Sequence, residues 1–354
     1  MTTKPTIAVA MSGGVDSSVA AAILAEQGVP VFGLMMRLWS RGPKHANRCC
    51  SPADMARART VAAQLDIPFY ALDVQDRFKR QVVDFFTDGY SQGLTPNPCM
   101  ECNRHIRWGF LLEHALAMGA THLATGHYAR VRNQDGSFQL LRAIDPHKDQ
   151  SYVLSVMGQR ELAHAVFPLG GYTKTQVREM ASELRLPVAD RAESQDLCFV
   201  GDGDYREFLD SQGIRLQPGP IVDRAGSQIG EHQGLAGYTI GQRKGIGVSA
   251  KHPLYVLEKD LPSNRLVVGP REALGCQEFN VARVNWIAGT PPTQSITAGV
   301  QVRYKAREVP AQITSHSDTH ANVHLAEPVP DVTPGQSAVF FQDSVCLGGG
   351  VIEP

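Results

Sequence analysis

The chain has 354 residues, 43% of them hydrophobic and 19% charged, with a net charge of −1. That length exceeds one ordinary core, so two or three domains are expected, and no apolar run approaches the roughly 18–20 residues of a membrane span. The start, MTTKPTIAVAMSGG, lacks the basic region and cleavage site of a signal peptide, and seven scattered cysteines, an odd number, argue against a secreted disulfide framework, so a cytoplasmic enzyme is the default.

The first half alternates strand and helix. Residues 6–11 (TIAVAM) read as a buried strand, and SSVAAAILAEQG reads as a helix ending at Gly28. Residues 29–36 form a second strand. SPADMARARTVAAQLD is a helix with Ser51 as N-cap and Pro52 in its first turn. IPFYALDV is a third strand, RFKRQVVDFF and IRWGFLLEHALAMG are helices, and residues 121–128 (THLATGHY) are a fourth strand. TKTQVREMASELRLP is another helix. Strands spaced by helices predict a Rossmann-like α/β domain with a parallel sheet.

After about residue 200 glycine and proline become frequent and helical periodicity fades. QPGPIVDRAGSQIGEHQG reads as a hairpin with a tight glycine turn. From about residue 275, FNVARVNWI, GVQVRYKA, VPAQITS, NVHLAEP, QSAVFFQD and VCLGGGVI alternate like the strands of a small β-barrel. The expected units are residues 1–200, a small α+β or β unit at 201–275, and a C-terminal β-barrel at 276–354.

The strongest local signal is AMSGGVDSSV, where a strand runs through Ser12, Gly13, Gly14, Val15, Asp16 and Ser17 into a helix. Glycines let the backbone approach an anion, and the helix start offers unpaired N–H groups and the positive end of its dipole. Ser12, Ser17 and Ser18 add hydroxyl donors. Asp16 is out of place beside phosphate unless it holds a cation or caps the helix. Neither GxxxxGK[ST] nor GxGxxG is present, so the lysine of a Walker loop is missing.

A second signal, PNPCMECNRH, sets Cys99 and Cys102 three residues apart. Taken alone it fits a metal clip, a redox switch or a device for moving sulfur. A zinc site lacks a second ligand pair.

SGGVDSS resembles the PP-loop of ATP pyrophosphatases. TPNPCMECNRHIRWG, LATGHYAR, DPHKDQSYVL, SQDLCF, GEHQGLAGYTIGQRKGIG, VRYKA and TPGQSAVFF…VCLGGGVI together resemble the bacterial tRNA-specific 2-thiouridylases over nearly the whole chain. The resemblance implies conversion of a tRNA wobble uridine to 2-thiouridine with ATP, Mg²⁺ and persulfide sulfur from a cysteine desulfurase relay, without a membrane. It implies Cys102 as the nucleophile and Cys198 as the persulfide carrier, ending in a Cys102–Cys198 disulfide. It places ATP phosphates against Ala10, Met11, Ser12, Gly13, Gly14, Val15, Asp16 and Ser17, and adenosine near Met36 and Gly126. It places tRNA against Asn97, Pro98, Cys99, His127, Lys148, Asp149, Gln150, Arg303, Tyr304 and Gln336. Arg303, Lys305 and Arg307 would share one face of a strand, suited to phosphate contact. Cys49 and Cys50 have no assigned role, and Cys276 and Cys346 read as structural.

Many relatives carry Asp where this chain has Cys99. A thiolate base would need a lowered pKa. Alternatively, Cys99, Cys102 and Cys198 would hold three irons of a [4Fe-4S] cluster and leave the fourth open for hydrosulfide. Two other functions compete: a PP-loop synthetase acting on a small metabolite, and a non-catalytic RNA-binding or sulfur-carrier protein.

Overall fold

The computed structural model describes residues 5–40, 50–191, 197–201, 205–214, 216–330 and 332–354. Cys49 and residues 194–196 of the SQDLCF motif lie outside them. Among the described residues no helix is long and apolar enough to cross a membrane.

The N-terminal domain is built on a five-stranded parallel sheet. Its strands are β1 (Ile7–Ala10), β2 (Val31–Arg37), β3 (Phe69–Asp73), β4 (His122–Thr125) and a short fifth, Ala165–Val166, in the order β3-β2-β1-β4-fifth. β1 lies at the centre, pairing Ile7 to Ala10 with Val31 to Leu34 and with His122 to Thr125. Its residues alternate between two cores, as the period of a strand requires. Ala8, Leu34 and Leu123 face a core containing Trp108, Leu111, Leu112 and Tyr152. Ile7, Val9 and Met35 face one that contains Val19, Ala20, Ala58 and Val61.

Helix α1 (Val15–Glu26) buries the small residues Val19 to Ala22 completely, which lets it lie close on the sheet. Helix α2 (Pro52–Gln64) starts as its sequence predicts: Ser51 accepts the Asp54 N–H, and Asp54 returns the bond to the Ser51 N–H. Helix α3 (Lys174–Glu183) has the same device in Thr173 and Gln176.

The central unit is a four-stranded sheet that includes the expected hairpin, Gly219–Val222 with Gln228–His232. The C-terminal barrel closes on itself. Its strands follow the order Cys276–Trp286, His320–Val329, Val309–Ser317, Ile296–Gln301, Ser337–Gln342 and Val345–Ile352, and the last pairs back with the first.

Three local features differ from, or add to, the sequence reading. The CxxC stretch is helical from Pro98, because Asn97 caps the Cys99 N–H and Pro98 suits a first turn. The helix continues through Cys102–Leu111 with widened π-type turns and ends at Ala117. Arg303, Lys305 and Arg307 do not share a strand face. The strand stops at Gln301, Lys305 takes φ +62°, and the Ala306 N–H closes a turn on the Arg303 carbonyl. Third, the hairpin Ala129–Gln134/Ser137–Arg142, unforeseen from the sequence, leaves the N-terminal domain and joins the barrel. Leu140 and Leu141 pair with Cys346 and Val345.

Candidate functional site

The phosphate loop leaves β1 at Ala10 and enters α1 after Gly14, whose extended backbone makes it the N-cap. Internal bonds set its shape. Ser17 Oγ accepts the Ser12 N–H (3.1 Å) and contacts the Ser12 hydroxyl (3.2 Å), while the Ser17 and Ser18 hydroxyls reach the Gly14 carbonyl (3.2 and 2.9 Å). The first-turn N–H groups of α1 have no intrahelical acceptors and are the natural anion donors here. Gly126, at the end of β4, lies against this turn: a Cβ there would stand 2.8 Å from the Ser17 nitrogen. Only glycine leaves the helix start open on that side. Met36 lies near the end of β2, half-buried.

Asp16 is answered by a cation the sequence did not point to. Lys174, the first residue of α3 and 9% exposed, donates to Asp16 Oδ1 at 2.6 Å, and the Tyr128 hydroxyl donates to the same oxygen at 2.7 Å. The ammonium neutralises the carboxylate beside the anion site. No local motif could have revealed it, since 158 residues separate the partners.

The cysteine helix lies next to this loop. Asn103 Nδ2 donates to the Cys99 carbonyl (3.0 Å), and Arg107 Nη1 reaches Asn103 Oδ1 (3.3 Å) and His127 Nε2 (3.2 Å). A guanidinium only donates, so Nε2 accepts and Nδ1–H donates to Thr125 Oγ1 at 2.8 Å. His127 is therefore neutral. Burial pushes its pKa well below the usual value and the Arg107 charge adds to this. Arg107, absent from the sequence expectations, links the strand end that carries Gly126 to the backbone of Cys99. Glu101 is buried and bonds Arg283 of the barrel through both oxygens (3.0 Å each) and His105 (3.1 Å). Burial pushes its carboxyl pKa up, but His105 and Arg283 outweigh this and hold it low.

Cys102 is buried in an apolar cluster with Phe78, Phe86, Ile106, Phe199 and Phe208, and Cys198 and Cys50 pack against that cluster. Phe199 anchors the Cys198 segment, its ring 5.3 Å from Phe86 and from Phe208. The structure thus brings Cys102 and Cys198 to one cluster although they lie far apart in sequence.

Comparison with known proteins places the chain in a family. The family model for the tRNA methyl transferase HUP domain matches residues 5–202, that for the tRNA methyl transferase PRC-barrel domain residues 206–270, and that for the aminomethyltransferase beta-barrel domain residues 276–352. The tRNA-specific 2-thiouridylase MnmA of Chloroflexus aurantiacus is 49% identical over 350 residues, 98% of each chain. The chain belongs to the tRNA-specific 2-thiouridylase family. The Geobacter metallireducens member is 45% identical over 355 residues, 98% of this chain and 96% of its own. Two solved structures are weakly similar. A 4-thiouridine synthetase–RNA complex with bound ATP has a TM-score of 0.38 and 17% identity, covering 59% of this chain and 50% of that one. An NMN synthetase from Francisella tularensis has a TM-score of 0.34 and 17% identity, covering 60% and 78%.

The positions that the thiouridylase resemblance assigned to tRNA fall into two groups. Asn97, Pro98 and Cys99 begin the cysteine helix, and the barrel braces them. Gln336 Nε2 donates to the Thr95 carbonyl (2.7 Å), and the Thr95 N–H donates to the Pro334 carbonyl (2.9 Å). Tyr152 joins the same group: burial pushes its pKa up, opposed by bonds to Asn97 and Ser337 and by the Arg303 charge, and its ring lies 5.9 Å from the Tyr304 ring. Asp149 and Gln150 instead turn inward. Asp149 accepts from the Ala143 N–H (2.9 Å) and the Ser151 hydroxyl (2.7 Å), while Gln150 accepts the Tyr128 N–H (3.0 Å). Lys148 closes the turn before them, its N–H donating to the Asp145 carbonyl at 3.2 Å.

The iron–sulfur expectation does not fit this arrangement. Cys99 is exposed and Cys102 buried, and among the described residues no three Cys, His, Asp or Glu side chains gather as a metal-ligand group. Burial pushes the Cys346 thiol up to about 12 and raises the Cys276 thiol, so both are poor thiolates at neutral pH.

Proposed function

We infer that the chain is an ATP-dependent tRNA sulfurtransferase that replaces the C2 oxygen of a wobble uridine by sulfur. The observation that supports this most is the meeting of two unlike devices: a phosphate loop with a neutralised acid, and two cysteines on one apolar cluster beside it. A carbonyl oxygen is a poor leaving group, and transfer of AMP to it makes it a good one. ATP would lie along residues 10–17, with adenosine toward Met36 and Gly126. Mg²⁺ would arrive with ATP and spread charge from its phosphates, since Asp16 is already engaged by Lys174 and Tyr128.

The cysteine roles are those that the thiouridylase resemblance implies, and the steps balance with them. The terminal sulfur of a Cys198 persulfide attacks C2, and AMP leaves with the former C2 oxygen. Cys102 thiolate then attacks the Cys198 sulfur, the S–S bond to the base breaks, and 2-thiouridine departs as its thiolate. The Cys102–Cys198 disulfide that remains needs a dithiol reductant before the next turnover. Sulfur would reach Cys198 from a cysteine desulfurase relay. Residues 1–200 would carry the chemistry, while 201–275 and 276–354 would grip the tRNA, with Asn97 to Cys99, Arg303, Tyr304 and Gln336 nearest the base.

The test is mass spectrometry of nucleosides from tRNA incubated with the protein, ATP and a persulfide donor. The expected result is 2-thiouridine and one AMP per thiolation, dependent on tRNA. AMP formed with a small nitrogen donor and no tRNA would replace this reading by that of a metabolite synthetase.

A further inference from the structure

The stretch Thr125-Gly126-His127-Tyr128, at the end of β4, serves both halves of the site. Tyr128 reaches the phosphate loop, its hydroxyl donating to Asp16 Oδ1 at 2.7 Å, while His127 reaches the cysteine helix and accepts from Arg107 Nη1 at 3.2 Å. Gly126 lies against the start of α1, and the bond from His127 Nδ1 to Thr125 Oγ1 (2.8 Å) brackets it. The other side of the loop is held separately, by Arg191 Nη1 on the Gly13 carbonyl at 2.6 Å.

On the cysteine helix, Cys99, Asn103 and Arg107 recur every fourth residue and so lie along one face. Arg107 Nη1 also donates to Asn103 Oδ1 (3.3 Å), and Asn103 Nδ2 donates to the Cys99 carbonyl (3.0 Å). From Asp16 to the first turn of the helix, every step is thus a hydrogen bond or a neighbour in the chain. Thr125, His127 and Asn103 are 3%, 7% and 1% exposed. Polar groups so far from water are costly to leave unpaired, and a satisfied chain of them fixes the spacing of its ends. The π-type winding of Cys102–Leu111, which carries Asn103 and Arg107, is a rare geometry that is frequent at functional sites.

We propose that Arg107 is a positioning residue for adenylation: through His127 and Asn103 it sets the first turn of the cysteine helix, where the target base would be met, at a fixed distance from the nucleotide. This rests on the reading of residues 10–17 as the ATP site and of Asn97 to Cys99 as the base contact. Arg107 touches neither ligand. Its loss therefore slows the step in which the two must meet and leaves each binding event alone. One nitrogen, Nη1, makes both bonds, so an ammonium, with three donors, can stand in for the guanidinium.

The experiment follows tRNA-dependent pyrophosphate release in single turnover, with the protein in excess over tRNA, and takes the rate at saturation and the half-saturating concentration separately. Calorimetry with a non-hydrolysable ATP analogue reports nucleotide affinity. In Arg107→Met the saturated rate falls by about a hundredfold, as expected for reactants held slightly out of place, with half-saturation and analogue affinity unchanged. Arg107→Lys recovers most of that rate. Should Arg107→Met not fold, Asn103→Leu carries the test: it cuts the chain at its other joint, keeps the bond to His127, and is expected to lower the same rate. A saturated rate within about threefold of wild type in these variants, a loss that lies in half-saturation or analogue affinity instead, or an Arg107→Lys as slow as Arg107→Met overturns the proposal. A wild-type chain that binds no analogue, or releases no pyrophosphate with tRNA, would instead overturn the reading beneath it.

Discussion

The nucleotide end and the sulfur end of the site are neighbours made by opposite physics. The phosphate loop is one contiguous stretch whose polar groups are tied to each other and whose acid is matched by Lys174. The cysteines are set in an aromatic cluster drawn from separate segments. An anion is held by oriented dipoles that must be fixed before it arrives. A persulfide needs protection from water more than it needs donors, and apolar packing supplies that.

The sharpest way to separate the two ends is Cys198→Ser. It should abolish 2-thiouridine, by more than about a thousandfold for an obligatory covalent transfer, while tRNA-dependent pyrophosphate release, which precedes the sulfur attack, continues. Loss of both products together would mean that the ends are not separable. Next in size, Lys174→Met leaves Asp16 as an uncompensated charge beside the phosphates. AMP formation should fall by about a hundredfold, with labelling of Cys198 in the nucleotide-free protein unaltered. Unchanged AMP formation would remove Lys174 from the nucleotide end.

The smallest effect lies where the ends meet. His127 is kept neutral in the fold by burial and Arg107, while an unfolded histidine protonates near pH 6.5. Below that pH the unfolded chain binds a proton that the folded chain refuses, so stability is complete above about 6.5 and declines as pH falls. The slope for one proton is about 1.4 kcal/mol per pH unit. Urea unfolding at pH 7.5 and 5.5 should show that loss, and His127→Gln should remove the share of His127 while the shares of His122 and His232, also held low by burial, remain. An identical pH dependence in the variant would contradict the buried neutral assignment.

Much of this was legible because it is local. TIAVAMSGGVDSS announces strand, loop and helix through alternation, glycine and hydroxyls. Ser51-Pro52 marks a helix start by capping chemistry, and the barrel strands Val309–Ser317 and His320–Val329 alternate. What was missed depends on partners remote in sequence. Lys174, Arg191 and Arg107 are ordinary helix or loop cations until the fold puts them beside Asp16, Gly13 and His127. Arg303 and Lys305 alternate like strand residues, yet a turn claims them because Ala306 bonds back to Arg303. In the cysteine stretch the helix begins well before the IRWGFLLEHALAMG pattern, because Asn97 caps the Cys99 N–H.

The pairing of Leu140 and Leu141 with Cys346 and Val345 also sets an order on biosynthesis. A ribosome makes the hairpin at residues 129–142 some two hundred residues before the strand that covers its edge, and synthesis runs at about 5–20 residues per second. For that interval, on the order of ten seconds or more, the edge is an open template for pairing with other chains. A nascent or truncated chain lacking residues 345–352 therefore carries a hairpin with an uncovered edge, so the finish of a segment made early depends on a strand made late.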